Sequence, residues 1–256
     1  DSADLVFTRC RVRDNAAVGY GGGVYSLDST VVFHAGEISL NSLHGVGWSA
    51  VLRGGGAYIA GGEWAVSNSV LGGNNTDRSR IGASRWDTRE QLHGGGLYFD
   101  GGTHRVFNCA IYGNNGDAPQ QHATVLHKRY GGGIYLNNGT LTVENSTIVG
   151  NSNEGVRRVN GTFSITDSIL WDNVEDVVGT VAMNFCNVET GGFAGANGNI
   201  DENPQFVRGL YLAATSACRN AGSDLSSAFG LDTYTTQTNG MADTGTVDLG
   251  VHYADG

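Results

Sequence analysis

The sequence RYGGGIYLNNGTLTVENSTIVGNS, residues 129–152, decides the fold of this protein. Three glycines precede an apolar residue and a tyrosine, and an asparagine closes the unit. The motif recurs as GGGVY, GGGAY and GGGLY at residues 21–25, 54–58 and 94–98. Each first glycine stands 20 residues before a closing asparagine, and these are Asn41, Asn74, Asn114 and Asn151. A repeat core of constant length, with insertions confined to one point, predicts a stacked solenoid.

Two further columns appear when the units are aligned on the closing asparagine. A partial unit ending at Asn15 and a unit without the triplet ending at Asn173 join the alignment. The position three residues earlier is always large and aliphatic: Val12, Ile38, Leu71, Ile111, Ile148 and Leu170. The position five residues earlier is always small: Cys10, Gly36, Ser69, Cys109, Ser146 and Ser168. Because residues two apart share one face of a strand, both columns are predicted to point inward.

The repeated asparagines and glycines each have a physical explanation. Side-chain amides stacked one coil apart can bond to each other, so Asn15, Asn41, Asn74, Asn114, Asn151 and Asn173 are predicted to form a buried ladder. The triplets are expected where the chain needs positive φ or close backbone approach, both of which suit glycine.

Composition supports an all-β fold and excludes some functions. The chain has 256 residues, with 41 Gly, 2 Pro and a net charge of −10. Short β-branched runs are frequent, and no apolar run approaches the roughly 20 residues of a membrane-spanning helix. The negative charge argues against nucleic acid as a partner.

The units resemble the rungs of a right-handed parallel β-helix. They are similar to the Gly-Gly-hydrophobic and Asn-ended repeats of polymorphic outer-membrane proteins and related bacterial surface proteins. The resemblance covers about residues 4–175, so we expect rungs over 1–175, with further rungs upstream, and last coils plus a capping module over 176–256. Three stretches resemble the closing module of such proteins: NIDENPQF (199–206), YLAATSACRNAGSD (211–224) and TVDLGVHY (246–253).

The four cysteines divide into two pairs. Cys10 and Cys109 lie in one column three coils apart, roughly 14 Å at about 4.8 Å per coil, which is too far for a disulfide. Similar closing modules often carry a cysteine pair, and this resemblance implies a disulfide between Cys186 and Cys218. Such a bond would indicate an oxidising, extracytoplasmic location.

The insertions all leave the coil at one turn and concentrate positive charge. Residues 42–53, 75–93, 115–130 and 152–161 hold 9 of the 15 Lys and Arg residues. Arginine pairs with carboxylates and sulfates, and tryptophan faces stack on sugars, so this edge is predicted to bind acidic polysaccharide. The alternative is that the charge only solubilises long loops. The candidate ligand-binding residues are Arg78, Arg80, Arg85, Trp86, Arg89, His93, Lys128 and Arg129.

A polysaccharide lyase or hydrolase is the alternative function. In a lyase, Arg85 or Arg89 would neutralise a uronate, His127 or Lys128 would abstract a proton, and Tyr130 would protonate the leaving oxygen. The Gly-His-Gly and Arg-x-Lys motifs of polygalacturonases and the Trp-x-Asp-His motif of pectate lyases are absent.

The sequence therefore predicts an extracellular or cell-surface protein with a structural or adhesive role, as a stalk, passenger or filament subunit. No cofactor is expected. Calcium is a weaker hypothesis, at Asp172, Glu175 and Asp176 or at Asp201 and Glu202. The first coil, Leu5–Asn15, follows no recognisable cap, so further rungs or another copy of the chain are expected to cover it.

Overall fold

The computed structural model of the protein describes residues 3–44, 51–76, 91–115 and 128–254. Within these ranges the regular structure is β-strand, apart from one 3₁₀ turn at Ser226–Phe229. The strands of successive coils stack in parallel from Asp4–Thr8 to Asn187–Val188. The prediction of a parallel β-helix is therefore confirmed.

Three long sheets form the sides of the coil. The first contains Asp4–Thr8, Thr30–His34, Glu63–Ser67, the second halves of Leu97–Phe107 and Ile134–Glu144, Thr162–Thr166 and Ala182–Asn184. The second contains Arg11–Arg13, Glu37–Ser39, Val70–Gly72, Ala110–Tyr112, Thr147–Val149, Ile169–Trp171 and Asn187–Val188. The third contains Val24–Leu27, Ala57–Ala60, the first halves of Leu97–Phe107 and Ile134–Glu144, Glu154–Arg158 and Glu175–Val178. A short sheet of Ala16–Val18, Ser42–His44 and Asn75–Thr76 follows the second.

The core is made of the two predicted inward columns and their neighbours. Leu71 pairs in register with Ile38 on one side and Ile111 on the other, and all three are fully buried. In the small column, the Ser146 hydroxyl donates to the Glu144 carbonyl and accepts from the Cys109 N–H at 3.1 Å. The side chains of this column must be small because each lies on the inner side of a corner, where the chain turns from one sheet to the next.

That corner places non-glycine residues in the left-handed region. The residue before each small-column position has φ between 46° and 54°: Arg9, Ala35, Asn68, Asn108, Asn145 and Asp167. Phe185, one coil further on, has the same conformation. Asparagine and aspartate tolerate this conformation better than other non-glycine residues, which explains their frequency at the corner.

Each glycine of a triplet meets a different requirement. The first glycines have φ between 60° and 72°, at Gly21, Gly54, Gly94 and Gly131. At the second position the backbones of adjacent coils approach closely, and a Cβ at Gly95 would lie 2.8 Å from the Gly132 carbonyl oxygen. At the third, a Cβ at Gly96 would lie 3.1 Å from Nδ2 of Asn114. The triplet therefore combines a left-handed turn, a close approach and room for the asparagine amide.

The six closing asparagines form a continuous ladder. Asn114 Oδ1 accepts hydrogen bonds from the backbone N–H of Asn74 at 3.1 Å and from its Nδ2 at 2.9 Å. The same pair of bonds joins Asn15 to Asn41, Asn41 to Asn74, Asn114 to Asn151 and Asn151 to Asn173. The four central asparagines are at most 2% exposed. Every amide in the ladder points the same way.

A buried carboxylate ends this ladder. Asn173 Nδ2 donates to Asp176 Oδ1 at 2.8 Å, and Asp176 Oδ2 accepts from the Thr190 N–H. Burial raises the pKa of Asp176, although its hydrogen bonds to Asn173 and Thr190 act in the opposite direction. Asp176 thus takes the place of a seventh asparagine.

The residues after the last coil fold over it and then return along its side. Leu212, Cys218 and Leu249 pack on Ile169 and partly bury Trp171. The short antiparallel pairs here are Phe206–Val207 with Tyr211–Leu212, and Tyr234–Thr235 with Tyr253–Ala254.

The returning C-terminal segment then crosses successive coils. The Gly250 N–H donates to the Asp167 carbonyl, and Val251 donates to Thr147 Oγ1. Asn108 exchanges two hydrogen bonds with the backbone of His252. The end of the chain is thereby tied to three coils.

The predicted disulfide is wrong, because Cys186 and Cys218 are both free thiols. Cys186 continues the small inward column: its Sγ donates to the Asn184 carbonyl two residues back, as Cys109 Sγ does to Phe107. Cys218 lies in the separate cluster over the last coil, where its sulfur accepts from Asn187 Nδ2 at 3.0 Å. The two sulfurs belong to different packing environments. Cys10 and Cys109 are free thiols, as predicted.

Candidate functional site

The insertion edge is built on a short outer sheet. Its parallel strands are Val51–Arg53, Gln91–His93 and Lys128–Tyr130, each of which returns an insertion to the coil. The register places Arg53 beside His93 and His93 beside Tyr130. Tyr20 pairs with Arg53 as an isolated bridge and extends the row by one coil. The ends of three insertions are thus held one coil apart along a single line.

Beneath this row lies a stack of tyrosines from the glycine motifs. Tyr58, Tyr98 and Tyr135 stack with ring centroids 5.2 and 4.9 Å apart and interplanar angles of 17° and 9°. Tyr25 continues the stack at 5.5 Å from Tyr58. These side chains point away from the main core because the preceding residues, such as Leu97, point into it. Tyr58, Tyr98 and Tyr135 are nevertheless buried, since the outer row covers them, whereas Tyr25 at the end of the stack is exposed.

The outer row contacts the tyrosines through cationic and aromatic groups. The Arg53 guanidinium lies 5.5 Å from the Tyr98 ring centroid and 5.6 Å from that of Tyr20. The His93 ring meets Tyr135 edge-on at 4.9 Å and lies 5.4 Å from Tyr130. Cation–π contacts and edge-to-face ring contacts stabilise a fold by more than the burial of their apolar area alone provides. We call Tyr20, Arg53, His93, Tyr130 and the tyrosine stack the aromatic seam.

Glu154 ends the outer sheet. In the earlier coils the N–H of the first triplet glycine donates to an outer-strand carbonyl, as Gly94 does to Tyr130. The N–H of Gly131 donates instead to Glu154 Oε2. The Oε1 atom of Glu154 accepts from Arg157 Nε at 3.1 Å, and the Arg157 guanidinium lies 4.4 Å from the Tyr130 ring centroid. A side-chain carboxylate therefore replaces the missing outer strand.

Burial controls the protonation of the seam. Burial, followed by the charges of Arg53 and Arg157, lowers the pKa of His93 to about 4. Burial and the nearby Asp100 carboxylate raise the pKa of Tyr58 to about 12. The pKa of Tyr98 is also raised, chiefly by burial. At neutral pH His93 is neutral and these tyrosines keep their protons, so the three groups pack and orient rather than exchange protons.

The structure brings together only part of the predicted binding site. His93 and Tyr130 are adjacent in the outer row, and Lys128 and Arg129 lie on the same strand as Tyr130. The remaining predicted binding and catalytic residues lie outside the described residues: Arg78, Arg80, Arg85, Trp86, Arg89 and His127. Tyr130, proposed as an acid in the lyase hypothesis, is covered by Arg157 and contacts His93.

Sequence analysis did not predict the tyrosine stack or the role of Glu154. The signal for the stack was the tyrosine at the fifth position of all four glycine motifs. No comparable signal marks Glu154, because its role at the end of the outer sheet occurs in one coil and therefore does not repeat in the sequence. Of the proposed calcium ligands, Asp176 is occupied in closing the asparagine ladder. Among the described residues, no group of three or more His, Cys, Asp or Glu side chains is placed to hold a metal ion.

A shallow groove of about 470 Å³ also lies on the outer face of the first sheet, with Glu63, Arg105 and Glu144 in its lining. Arg105 Nε lies 2.5 Å from Glu144 Oε2, and its guanidinium lies 4.5 Å from the Phe107 ring centroid. Because this arginine is already paired, the groove offers less positive charge than the insertion edge.

Comparison with known proteins identifies the fold family. Residues 1–195 match the family model described as a right handed beta helix region. No curated protein and no solved structure matches the chain significantly. Over the described ranges, none of the helical structure has the length and apolarity required to span a membrane.

Proposed function

The chain belongs to the right-handed β-helix family, and on that premise we propose that it is an extracellular or cell-surface structural protein with an adhesive role. The coil acts as a stiff rod, and the insertion edge binds acidic glycans such as polyuronates or sulfated polysaccharides. The observation that carries this proposal is the register of Arg53, His93 and Tyr130 in the outer sheet. It sets the ends of three insertions at a regular spacing along one line.

The distribution of charge supports an anionic ligand. The insertions hold 9 of the 15 basic residues in a chain whose net charge is −10. A positive edge on a negative body orients an anionic polymer, because the edge attracts it and the rest of the surface repels it. Repetition along the rod lets one long chain contact several insertions at once, which raises the overall affinity without strong individual contacts.

The chemistry of the aromatic seam supports a structural rather than a catalytic role. A general base works best with a pKa near the operating pH, whereas the pKa of His93 is about 4. Arg157 is paired with Glu154 and packed on Tyr130. These groups anchor the insertions to the rod.

Glycan binding by the intact chain tests the proposal. The protein is titrated with polygalacturonate, heparin and a neutral glucan, and unsaturated product is followed by its absorbance. We expect binding to both anionic polymers, loss of binding at high NaCl, and no product. Failure to bind either polymer at low salt would refute the glycan role, and release of unsaturated product would establish the lyase instead.

Matched variants locate the binding surface. Replacing four arginines of one insertion by glutamine is expected to weaken binding on the order of tenfold: Arg78, Arg80, Arg85 and Arg89. The control replaces four exposed arginines outside the insertions and should bind as the parent does: Arg9, Arg11, Arg13 and Arg208. Equal losses in both variants would mean that net charge, and not the insertion edge, governs binding.

A further inference from the structure

The returning C-terminal segment lies across the outer face of the second sheet, and we call residues 250–254 the C-terminal strap. A Cβ at Gly250 would lie 2.6 Å from Thr147 Oγ1 and 2.9 Å from Cδ1 of Ile169, so the strap approaches this face closely. Thr147, Ile169 and their register partner Ala110 are at most 3% exposed, although they lie on the outer face of their strands. The strap therefore covers a part of the sheet that would otherwise face water.

His252 anchors the strap through both its backbone and its side chain. Its backbone exchanges two hydrogen bonds with Asn108, and its imidazole is fully buried. Nδ1 lies 3.0 Å from the Gly250 carbonyl oxygen, and Nε2 lies 2.8 Å from Asp243 Oδ2. A carbonyl oxygen and an ionised carboxylate can only accept, whereas a neutral imidazole has a single N–H to donate. Both contacts are hydrogen bonds only when His252 and Asp243 together hold one proton more than a neutral imidazole and a carboxylate do.

The surroundings of Asp243 favour that additional proton on His252. Asp243 is 5% exposed, and its Oδ2 also accepts from the backbone N–H of Asp248 at 2.8 Å. Burial raises the pKa of the Asp248 carboxyl, while its hydrogen bonds to Thr236 and Asn220 act in the opposite direction. Two buried carboxyl groups thus lie on the same side of the imidazole. An imidazolium at His252 forms a charge-assisted hydrogen bond with the nearer of them.

The other titratable groups near His252 line a groove of about 430 Å³ between the strap and the coil: Arg9, His34, Tyr234 and Tyr253. Burial raises the pKa of Tyr253, so this phenol stays neutral. A positive charge on Arg9 or His34 disfavours a second one on His252, but Arg9 is exposed and its charge is screened by water and salt. Within the described residues, Asp243 is the charged group that contacts the ring directly.

Docking of the strap also leaves a buried amide unpaired. Asn145 lies between Asn108 and Asp167 in the corner row, and both of these neighbours bond to the strap. Asn145 is fully buried, yet neither polar atom of its side-chain amide has a hydrogen-bond partner among the described residues. Such an amide costs free energy, so the other contacts of the strap must offset it. The loss of one hydrogen bond at His252 therefore weakens docking substantially.

We propose that the C-terminal strap is a proton-dependent latch, which is closed while His252 and Asp243 form an imidazolium–carboxylate pair. When the imidazolium loses a proton, one ring nitrogen faces an acceptor with no hydrogen between them, and the strap loosens from Asn108. The closed strap binds more protons than the open one, because the pair exists only in the closed state. Closure is therefore lost as the pH rises and His252 gives up its proton. Opening uncovers the outer face of the second sheet at Ala110 and Thr147.

NMR of the parent protein tests the latch directly. Ring nitrogen shifts of His252 and amide exchange of the strap are measured at about pH 6 and about pH 9. We expect two protonated ring nitrogens and a protected His252 amide at the lower pH. At the higher pH one ring proton is lost, and protection, corrected for base-catalysed exchange, falls on the order of tenfold. A neutral His252 ring beneath a protected strap at the lower pH, or equal protection at both, would overturn the proposal.

Two variants separate the pair from a general effect of pH, with strap protection measured relative to the strand Glu63–Ser67 in the same molecule. Asp243→Asn removes the carboxylate charge at nearly constant shape, so protection of the strap should be low at both pH values. His34→Gln is the matched control, because it replaces the other histidine of the groove, and it should keep the response of the parent. An Asp243→Asn protein that retains this response, or a His34→Gln protein that loses it, would show that the pair does not operate the strap.

Discussion

Gly96 lies against the side chain of Asn114, the asparagine that closes its own unit. A Cβ at Gly96 would lie 3.1 Å from Nδ2 and from Cγ of Asn114, and 2.5 Å from the Gly133 carbonyl oxygen. The third glycine and the asparagine meet in the same way in the other coils, as at Gly56 and Asn74. This contact explains why the distance between triplet and asparagine never varies, while the insertions vary freely.

Replacing Gly96 by alanine is therefore expected to destabilise the protein by about 2 kcal/mol, because backbone and amide must both shift to admit the methyl group. The free energy of unfolding in urea measures the effect. Gly113→Asn is the matched control: Gly113 has φ of +58° with no atom within 4 Å of a Cβ, and Asp14 and Leu40 hold the equivalent corner in other coils. An equal loss in both variants would contradict the steric explanation.

The asparagine ladder predicts that the loss of stability on replacing an asparagine depends strongly on its position in the ladder. Asn114→Leu removes the acceptor for two donors of Asn74 and leaves Asn151 Oδ1 with only the backbone N–H of residue 114, so we expect a loss of about 3 kcal/mol. Asn15→Leu, at the exposed end, should cost about 0.5 kcal/mol or less. Urea unfolding of both variants checks the difference, and similar losses would argue against a cooperative buried ladder.

The lowered pKa of His93 predicts that the stability of the protein depends on pH. Its pKa is about 4 in the folded protein, below the ordinary value of 6.5, so the unfolded chain binds more protons between these values. Stability from neutral His93 is therefore full above pH 6.5 and is lost as pH falls toward 4, by an amount on the order of 3 kcal/mol. His93→Phe should remove this component from the curve.

The informative measurement is the difference between parent and His93→Phe across this pH range. Buried carboxyls such as Asp167 and Asp248 have raised pKa values and affect stability in the opposite direction. They contribute equally to both proteins and cancel in the difference. A difference that stays constant from pH 7 to pH 4 would show that His93 does not titrate as described.

The cysteines should behave as four free thiols of unequal reactivity. Burial raises the pKa of Cys109 and Cys186 to about 12 and that of Cys218 to about 11, and the thiolate is the reactive form. We expect iodoacetamide to modify half-buried Cys10 first and the other three only after denaturation. Mass spectrometry without reduction checks this. A peptide linking Cys186 to Cys218 would show that the disulfide expected from the sequence does form.

The coil could be predicted because its constraints repeat. Each inward position lies against the same position of the next coil, so a requirement such as smallness at Ser146 appears as a column in the sequence. The prediction of a disulfide failed because the column of small residues continues to Cys186, whereas the column of closing asparagines stops at Asn173. Cys186 keeps its place two residues before Val188, but Gly191 stands where an asparagine would close the unit. Without the asparagine as a marker, the sequence alone places Cys186 in the closing module.

The aromatic seam could not be predicted for a different reason. Tyr98 points outward from its strand, and periodicity alone places such residues in solvent. Its burial depends on Arg53 and His93, which come from insertions of unequal length and meet only through the register of the outer sheet. The tyrosine itself recurs in the sequence, but the arginine and histidine that cover it do not recur at a fixed spacing.

The outer sheet also makes the rod a natural display scaffold. Since Gln91–His93 and Lys128–Tyr130 fix where each insertion re-enters the coil, the intervening sequence can lengthen or change with little effect on the stacked core. The closure entropy of a segment between two fixed ends grows slowly with its length, by about 0.6 kcal/mol for each doubling. New recognition loops can therefore be grafted between residues 77 and 90 or 116 and 127, and Glu154 marks the coil at which this interchangeable edge stops.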